Sequence, residues 1–182
     1  MALDTCHNLA LLTGHPYLIS YVWSSTLTGV DRALLYHQVI SAISWGDTQV
    51  LYDILAPDIV DHNPVPMQPP GREGFMEWMA AARRSFPDLW GRVEDVLVSG
   101  EFVIGRVTWR GTQRGPFAGL PPTQKQTAFE AIHIVRFDGP TIAEWWGVAN
   151  LLAAINQLGG KVVLEEPETG SLDLDDGEAA RT

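Results

Sequence analysis

From residue 31 onward the apolar positions recur at the helical interval: Leu34, Leu35, Val39, Ala42 and Ile43, with Asp31 placed to cap and Gly46 to stop the segment. Asp47 starts a second, short helix carrying Val50, Leu51, Ile54 and Leu55, ended by Pro57. Asp58–His62 reads as a short strand closed by Asn63-Pro64, and the stretch from Pro64 to Gly71 reads as a loop. A third helix, about Arg72 to Ser85, puts Phe75, Trp78, Met79, Ala82 and Phe86 on one stripe. After Pro87 the period changes to strict alternation. Trp90–Val98 and Glu101–Thr112 form a hairpin across Ser99-Gly100, and Gln126–Phe137 and Thr141–Val148 form another across Asp138-Gly139. A turn-rich connection fills 115–123, and Asn150 caps a last helix, Leu151–Leu158, stopped by Gly159-Gly160.

That order predicts an α+β fold: a curved, mostly antiparallel sheet with helices gathered on one face, forming a conical barrel. A cone with an apolar lining can hold a small molecule. With 182 residues, 46% of them hydrophobic, the chain is long enough for one well-filled core, expected over 31–160. A net charge of −10 argues against nucleic acid and anionic lipid as partners, since both need a basic face. Residues 161–182 carry seven acids against two bases and few apolar side chains, which predicts a solvated acidic tail without regular structure. Residues 1–30 have no clean period and are expected to be an N-terminal extension. No apolar run reaches the length of a membrane helix, and Asp4 spoils a signal peptide, so the expectation is a cytoplasmic protein. Cys6, His7 and His15 lack a second ligand cluster, and no metal site is expected.

An ordered series of short motifs spans this core: Asp61-His62-Asn63-Pro64, Gly71-Arg72-Glu73-Gly74, Ser85-Phe86-Pro87-Asp88, Gly111-Thr112, Phe117-Ala118-Gly119, Ile132-His133-Ile134-Val135-Arg136, Asp138-Gly139, Ile142-Ala143-Glu144 and Gln157-Leu158-Gly159. Together they resemble the SnoaL-like polyketide cyclases of the nuclear transport factor 2-like superfamily. The resemblance implies a cone with an enclosed apolar pocket, a homodimer through the sheet, and ring closure of polyketides by intramolecular aldol chemistry without metal or cofactor. It also implies an acid/base aspartate on the last strand, where this chain has Gly147. Two family histidines fall at Trp145 and Gln113 and a second acid at Asn150, whereas the strand histidine is kept as His133.

Alternation places Phe129, Ala131, His133 and Val135 on one face of their strand, with Glu130, Ile132, Ile134 and Arg136 on the other. His133 is therefore either a hydrogen-bonded core histidine or a pocket acid/base, and the resemblance makes it the leading catalytic candidate. The hairpin should bring it across the ladder from Trp145 and Gly147, at the wall of the cavity, with few core contacts of its own. Asp61 and His62 are the other catalytic candidates. Only one of the pair can point inward, and the expectation is His62 in the pocket with Asp61 supporting it. Trp145, Gly147, Gln113 and Asn63 are the expected substrate contacts. Arg106 and Arg110 share a face read as solvated, and the faces carrying Trp109 and Trp146 are the expected dimer surface.

The functional expectation is a cofactor-free cyclase or isomerase acting on a polyketide-like or similarly apolar, oxygenated intermediate. Because Gly147 replaces the usual aspartate, two alternatives stand beside it. One is an epoxide-opening, hydration or oxygenase-partner enzyme on the same fold; the other is a non-catalytic small-molecule carrier.

Overall fold

The computed structural model describes residues 27–161 and 163. The expected extension up to residue 26, with Cys6, His7 and His15, and almost all of the acidic tail lie outside the described residues. The element order is α1 (Gly29–Trp45), α2 (Thr48–Ile54), β1 (Leu55–Asp61), α3 (Gly71–Ser85), β2 (Trp90–Ser99), β3 (Phe102–Thr112), β4 (Gln126–Asp138), β5 (Thr141–Ala149) and α4 (Leu151–Leu158). The five strands form one curved open sheet in the order β1-β5-β4-β3-β2, antiparallel except where β1 runs parallel to β5. This is the expected α+β fold. No helix among the described residues is long and apolar enough to cross a membrane.

Local chemistry sets most of the boundaries. Asp47 and Asn150 cap α2 and α4 through side-chain acceptors, and Gly46 and Gly159 close α1 and α4 in the left-handed conformation that favours glycine. Two expectations need correction. The cap of α1 is Thr28, and Asp31 sits three residues on, accepting from the Thr28 backbone to complete a capping box. The first strand begins at Leu55 and ends at Asp61, so Pro57 lies inside it. That is tolerated because β1 is an edge strand, paired on one side only, and proline's missing N–H forfeits no ladder bond there.

The inner sheet face carries Val103, Val107, Trp109, Ala131, Val135, Phe137, Ile142 and Trp145, all buried under α1, α2 and α3. The outer face is mixed. Arg106 bridges Asp95 and Glu130 at 2.7 and 2.6 Å, and Arg136 bridges Glu144 at 2.6 Å. Between these pairs, Phe102, Ile104, Ile132 and Ile134 are exposed. The expectation that Trp109 and Trp146 share an outward surface is wrong. Trp109 is 5% exposed on the inner face, where its ring crosses Gly91 on the next strand, and only Trp146 belongs to the outer side.

Candidate functional site

His133 occupies the centre of the inner face. The ladder sets it opposite Gly105 on β3 and opposite Gly147 on β5, so both flanking positions lack side chains. The two glycines are filled from different directions. A Cβ at residue 105 would lie 2.2 Å from the Tyr36 hydroxyl, so Gly105 is what lets α1 lay the Tyr36 ring onto the sheet. A Cβ at residue 147 would lie 2.9 Å from Trp145 Nε1 and 3.6 Å from His133 Cδ2. The indole and imidazole thus lean together over Gly147, with ring centres 4.8 Å apart.

Tyr36 fixes the state of the imidazole. Its hydroxyl lies 2.9 Å from His133 Nδ1, and both residues are buried. No other acceptor for the phenolic proton occurs among the described residues, so the hydroxyl is assigned as donor and Nδ1 as acceptor. The proton of the neutral ring then sits on Nε2, which has no protein partner among the described residues. Burial lowers the His133 pKa to about 4 and keeps the ring uncharged at neutral pH, while the same burial raises the Tyr36 phenol. The expectation that His133 makes few core contacts is therefore wrong: it is 6% exposed and packed among Tyr36, Trp109 and Trp145.

These side chains line a partly open cavity of about 240 Å³ between the sheet and α3, just below the usual size of small-molecule sites. Its walls are largely aromatic, with Phe75, Trp78, Phe86, Phe117, Phe129 and Trp145 among them. The few polar groups are Asp61, Asn63, Gln68 and His133, and Asp61 is the only carboxylate among the described residues of the lining. Among those residues, no three of His, Cys, Asp and Glu cluster as a metal set.

The structure reverses the expected roles within the Asp61-His62 pair. Inward-facing Ile59 sets the alternation that sends Asp61 to the cavity and His62 to the outer face. There His62 stacks flat on Trp146 with ring centres 4.1 Å apart, and its Nε2 lies 2.8 Å from Glu144. Its backbone N–H donates to the Trp145 carbonyl at 2.8 Å, which pins the end of β1 to β5. Asp61 is held from two sides: Oδ1 accepts from the Asn63 backbone at 3.0 Å and Oδ2 accepts from Gln68 Nε2 at 2.9 Å. Gln68 was not anticipated. The only trace of it in the sequence is its place in the proline-rich loop seven residues after the carboxylate.

Gln113 is likewise misplaced by the sequence reading. It is fully buried and does not line the cavity. Its amide donates to the carbonyls of Gly115 and Pro121, both at 3.1 Å, and its oxygen accepts from the Thr123 hydroxyl at 2.6 Å. Gln113 thus clamps the 115–123 connection and touches the site only through Phe117 of that connection. Of the seven expected site residues, Asp61, Asn63, His133, Trp145 and Gly147 share the cavity, while His62 and Gln113 do not. Arg106 takes the solvated outer face as expected.

The family model of the SnoaL-like polyketide cyclases matches residues 33–158. The structure of TsrD from Streptomyces laurentii superposes with a TM-score of 0.69 at 26% identity, covering 75% of this chain and 100% of that one. IdmH, a candidate polyketide cyclase of Streptomyces antibioticus, gives 0.63 at 29% identity over 70% of this chain and 97% of its own. AclR, a candidate hydroxylase of Streptomyces galilaeus, gives 0.64 at 24% identity over 72% and 98% and shows the shared fold. No curated protein matches the chain significantly. With the matched segment running from α1 to the end of α4, the chain belongs to the SnoaL-like polyketide cyclase family.

Proposed function

We propose that the protein is a cofactor-free enzyme that closes or isomerises a ring of a polyketide-like, apolar, oxygenated intermediate by proton transfer inside the cavity. The observation that carries this reading is one carboxylate, Asp61, facing an aromatic-walled cavity in which the only other ionisable group among the described residues is a neutral histidine. Asp61 takes a proton from carbon next to a substrate carbonyl, and the electron pair of that C–H bond moves onto the carbonyl oxygen. His133 holds the resulting enolate by donating from Nε2 without giving up its proton. The enolate carbon then adds to a second carbonyl of the same molecule, and the new alkoxide recovers the proton from Asp61. Atoms and charge balance without an external reagent. The hydrogen bonds from Asn63 and Gln68 hold the carboxylate in one orientation, which such a transfer requires.

The test is turnover of linear and partly cyclised aromatic polyketide intermediates by the purified chain, followed by chromatography. Ring closure should fall by about 10²–10⁴-fold in Asp61→Asn, the usual worth of a positioned acid/base group. Absence of turnover across the substrate class, or an Asp61→Asn protein as active as wild type, overturns the reading.

A further inference from the structure

We infer that the cavity takes its ligand ring first: a flat system of two fused rings inside, carrying an apolar chain that leaves past Val65 and Leu151. This deepens the reading above by naming the shape of the substrate, a bicyclic arene with an acyl chain, and it rests on that reading only for the chemistry.

The inner space limits the ring. Its volume is about 240 Å³. A single benzene already takes up an apolar cavity of about 150 Å³, so there is room for a second fused ring and not for a third. The walls are braced against retreat because they pack edge to face on one another. Ring centres are 5.0 Å apart for Phe86 and Phe117, 5.2 Å for Phe75 and Trp145, and 5.4 Å for Phe75 and Trp78. The connection that carries Phe117 is itself clamped by Gln113. Close packing of this kind resists a ligand that is too wide.

The lining also divides by exposure. Phe75, Met79, Phe86, Leu89, Trp109 and Trp145 are buried and form the interior. Val65, on the proline-rich loop, and Leu151, in the first turn of α4, line the same cavity and are 42% and 46% exposed. An isolated surface leucine or valine needs no explanation, but these two join the interior to the surface. The cavity thus opens between the loop and α4 with an apolar lining that runs outward. A mouth of that kind, on a space too small for a larger ring system, suits a narrow apolar chain. Asp61 and its partner Gln68 are half-buried, between the interior and the rim. The carboxylate therefore stands where ring and chain join. In an acyl arene, the first chain carbon beyond the ring-bound carbonyl lies at that junction, and its C–H bonds are the acidic ones.

The experiment is calorimetric titration of the full-length wild type with 2-naphthyl ketones carrying a methyl, propyl or pentyl group, and with 2-acetylanthracene as the larger ring. Affinity in the naphthyl series should rise about two- to fourfold for each added methylene, the range from partial to full burial. The anthracene ketone should bind about tenfold more weakly than 2-acetylnaphthalene. In the Val65→Ser, Leu151→Ser double variant the dependence on chain length should flatten, while the methyl ketone stays within about twofold of wild type. Both positions are exposed. Should the double variant fail to fold, each single variant decides, and each should lose part of the dependence. Absence of binding, affinity independent of chain length, an undiminished dependence in the variants, or an anthracene ketone bound as tightly as the naphthyl one overturns the inference. The acid/base reading is judged separately, by turnover and its loss in Asp61→Asn. Binding that follows ring size and chain length without turnover upholds the inference and removes the chemistry; turnover with no dependence on chain length does the reverse.

Discussion

A neutral histidine buried at the centre of a sheet makes the fold sensitive to acid in a specific window. The His133 pKa is lowered from 6.5 to about 4 by desolvation. The unfolded chain therefore binds a proton below about pH 6.5 that the folded chain refuses until about pH 4. Stability from this group is complete above pH 6.5 and is lost progressively as pH falls toward 4. With those two values the loss by pH 5 is about 2 kcal/mol. The carboxylates held low by hydrogen bonds and ion pairs, Asp31, Asp88, Glu94 and Glu144, also weaken the fold in acid. Their window opens lower, near and below their ordinary value of about 4. Urea unfolding at pH 7 and pH 5 isolates His133, and the midpoint should drop by about 1 M. His133→Asn, whose side-chain oxygen can still accept from Tyr36, should flatten that dependence between pH 7 and 5. Nitrogen NMR of the labelled imidazole adds a direct readout, a ring protonated on Nε2 alone throughout this range. A wild type with equal stability at both pH values, or a ring that titrates near pH 6.5, would refute the buried neutral assignment.

Gln113→Ala should cost on the order of 3 kcal/mol in urea unfolding, because it strips partners from the carbonyls and amide of the 115–123 connection; loss of ligand affinity without loss of stability would return Gln113 to the site. Light scattering should give twice the 20.0 kDa chain mass, with the exposed Ile104, Ile132 and Ile134 buried against a second copy, and Ile132→Asp should halve it; a monomeric wild type contradicts this. Gly147→Asp should destabilise the fold by about 1–3 kcal/mol as its Cβ meets Trp145 Nε1, and Trp145→His in the same chain should recover much of that; strictly additive effects would show that the two positions are not coupled.

Most of the architecture was legible because one-dimensional periods carry it. The switch from helical spacing to alternation after Pro87, the two hairpin turns and the Asn150 cap fix five of the nine elements near their observed ends. The same alternation placed His133, Trp145 and Gly147 on one face, since a hairpin register follows from its turn. What sequence could not show came from longer range. Tyr36 reaches His133 across 97 residues of chain, through a gap that exists because residue 105 is glycine. The inward turn of Asp61 instead of His62 depends on where β1 begins, and Pro57 concealed that by marking a helix end where an edge strand tolerates it. Gln113 sits where a family histidine was matched, but the local demand of an irregular connection for buried partners claims its amide.

The absence of a carboxylate at 147 does not leave the cavity without one, because Asp61 lines it from a strand away. Asp61 stands opposite Trp145 on β1, where a turn and Gln68 hold it. Glycine at the β5 position admits the indole over the strand, since Trp145 could not lean over any larger residue. Glycine at 147 and tryptophan at 145 are thus mutually dependent, while Asp61, opposite Trp145, is held independently by Asn63 and Gln68.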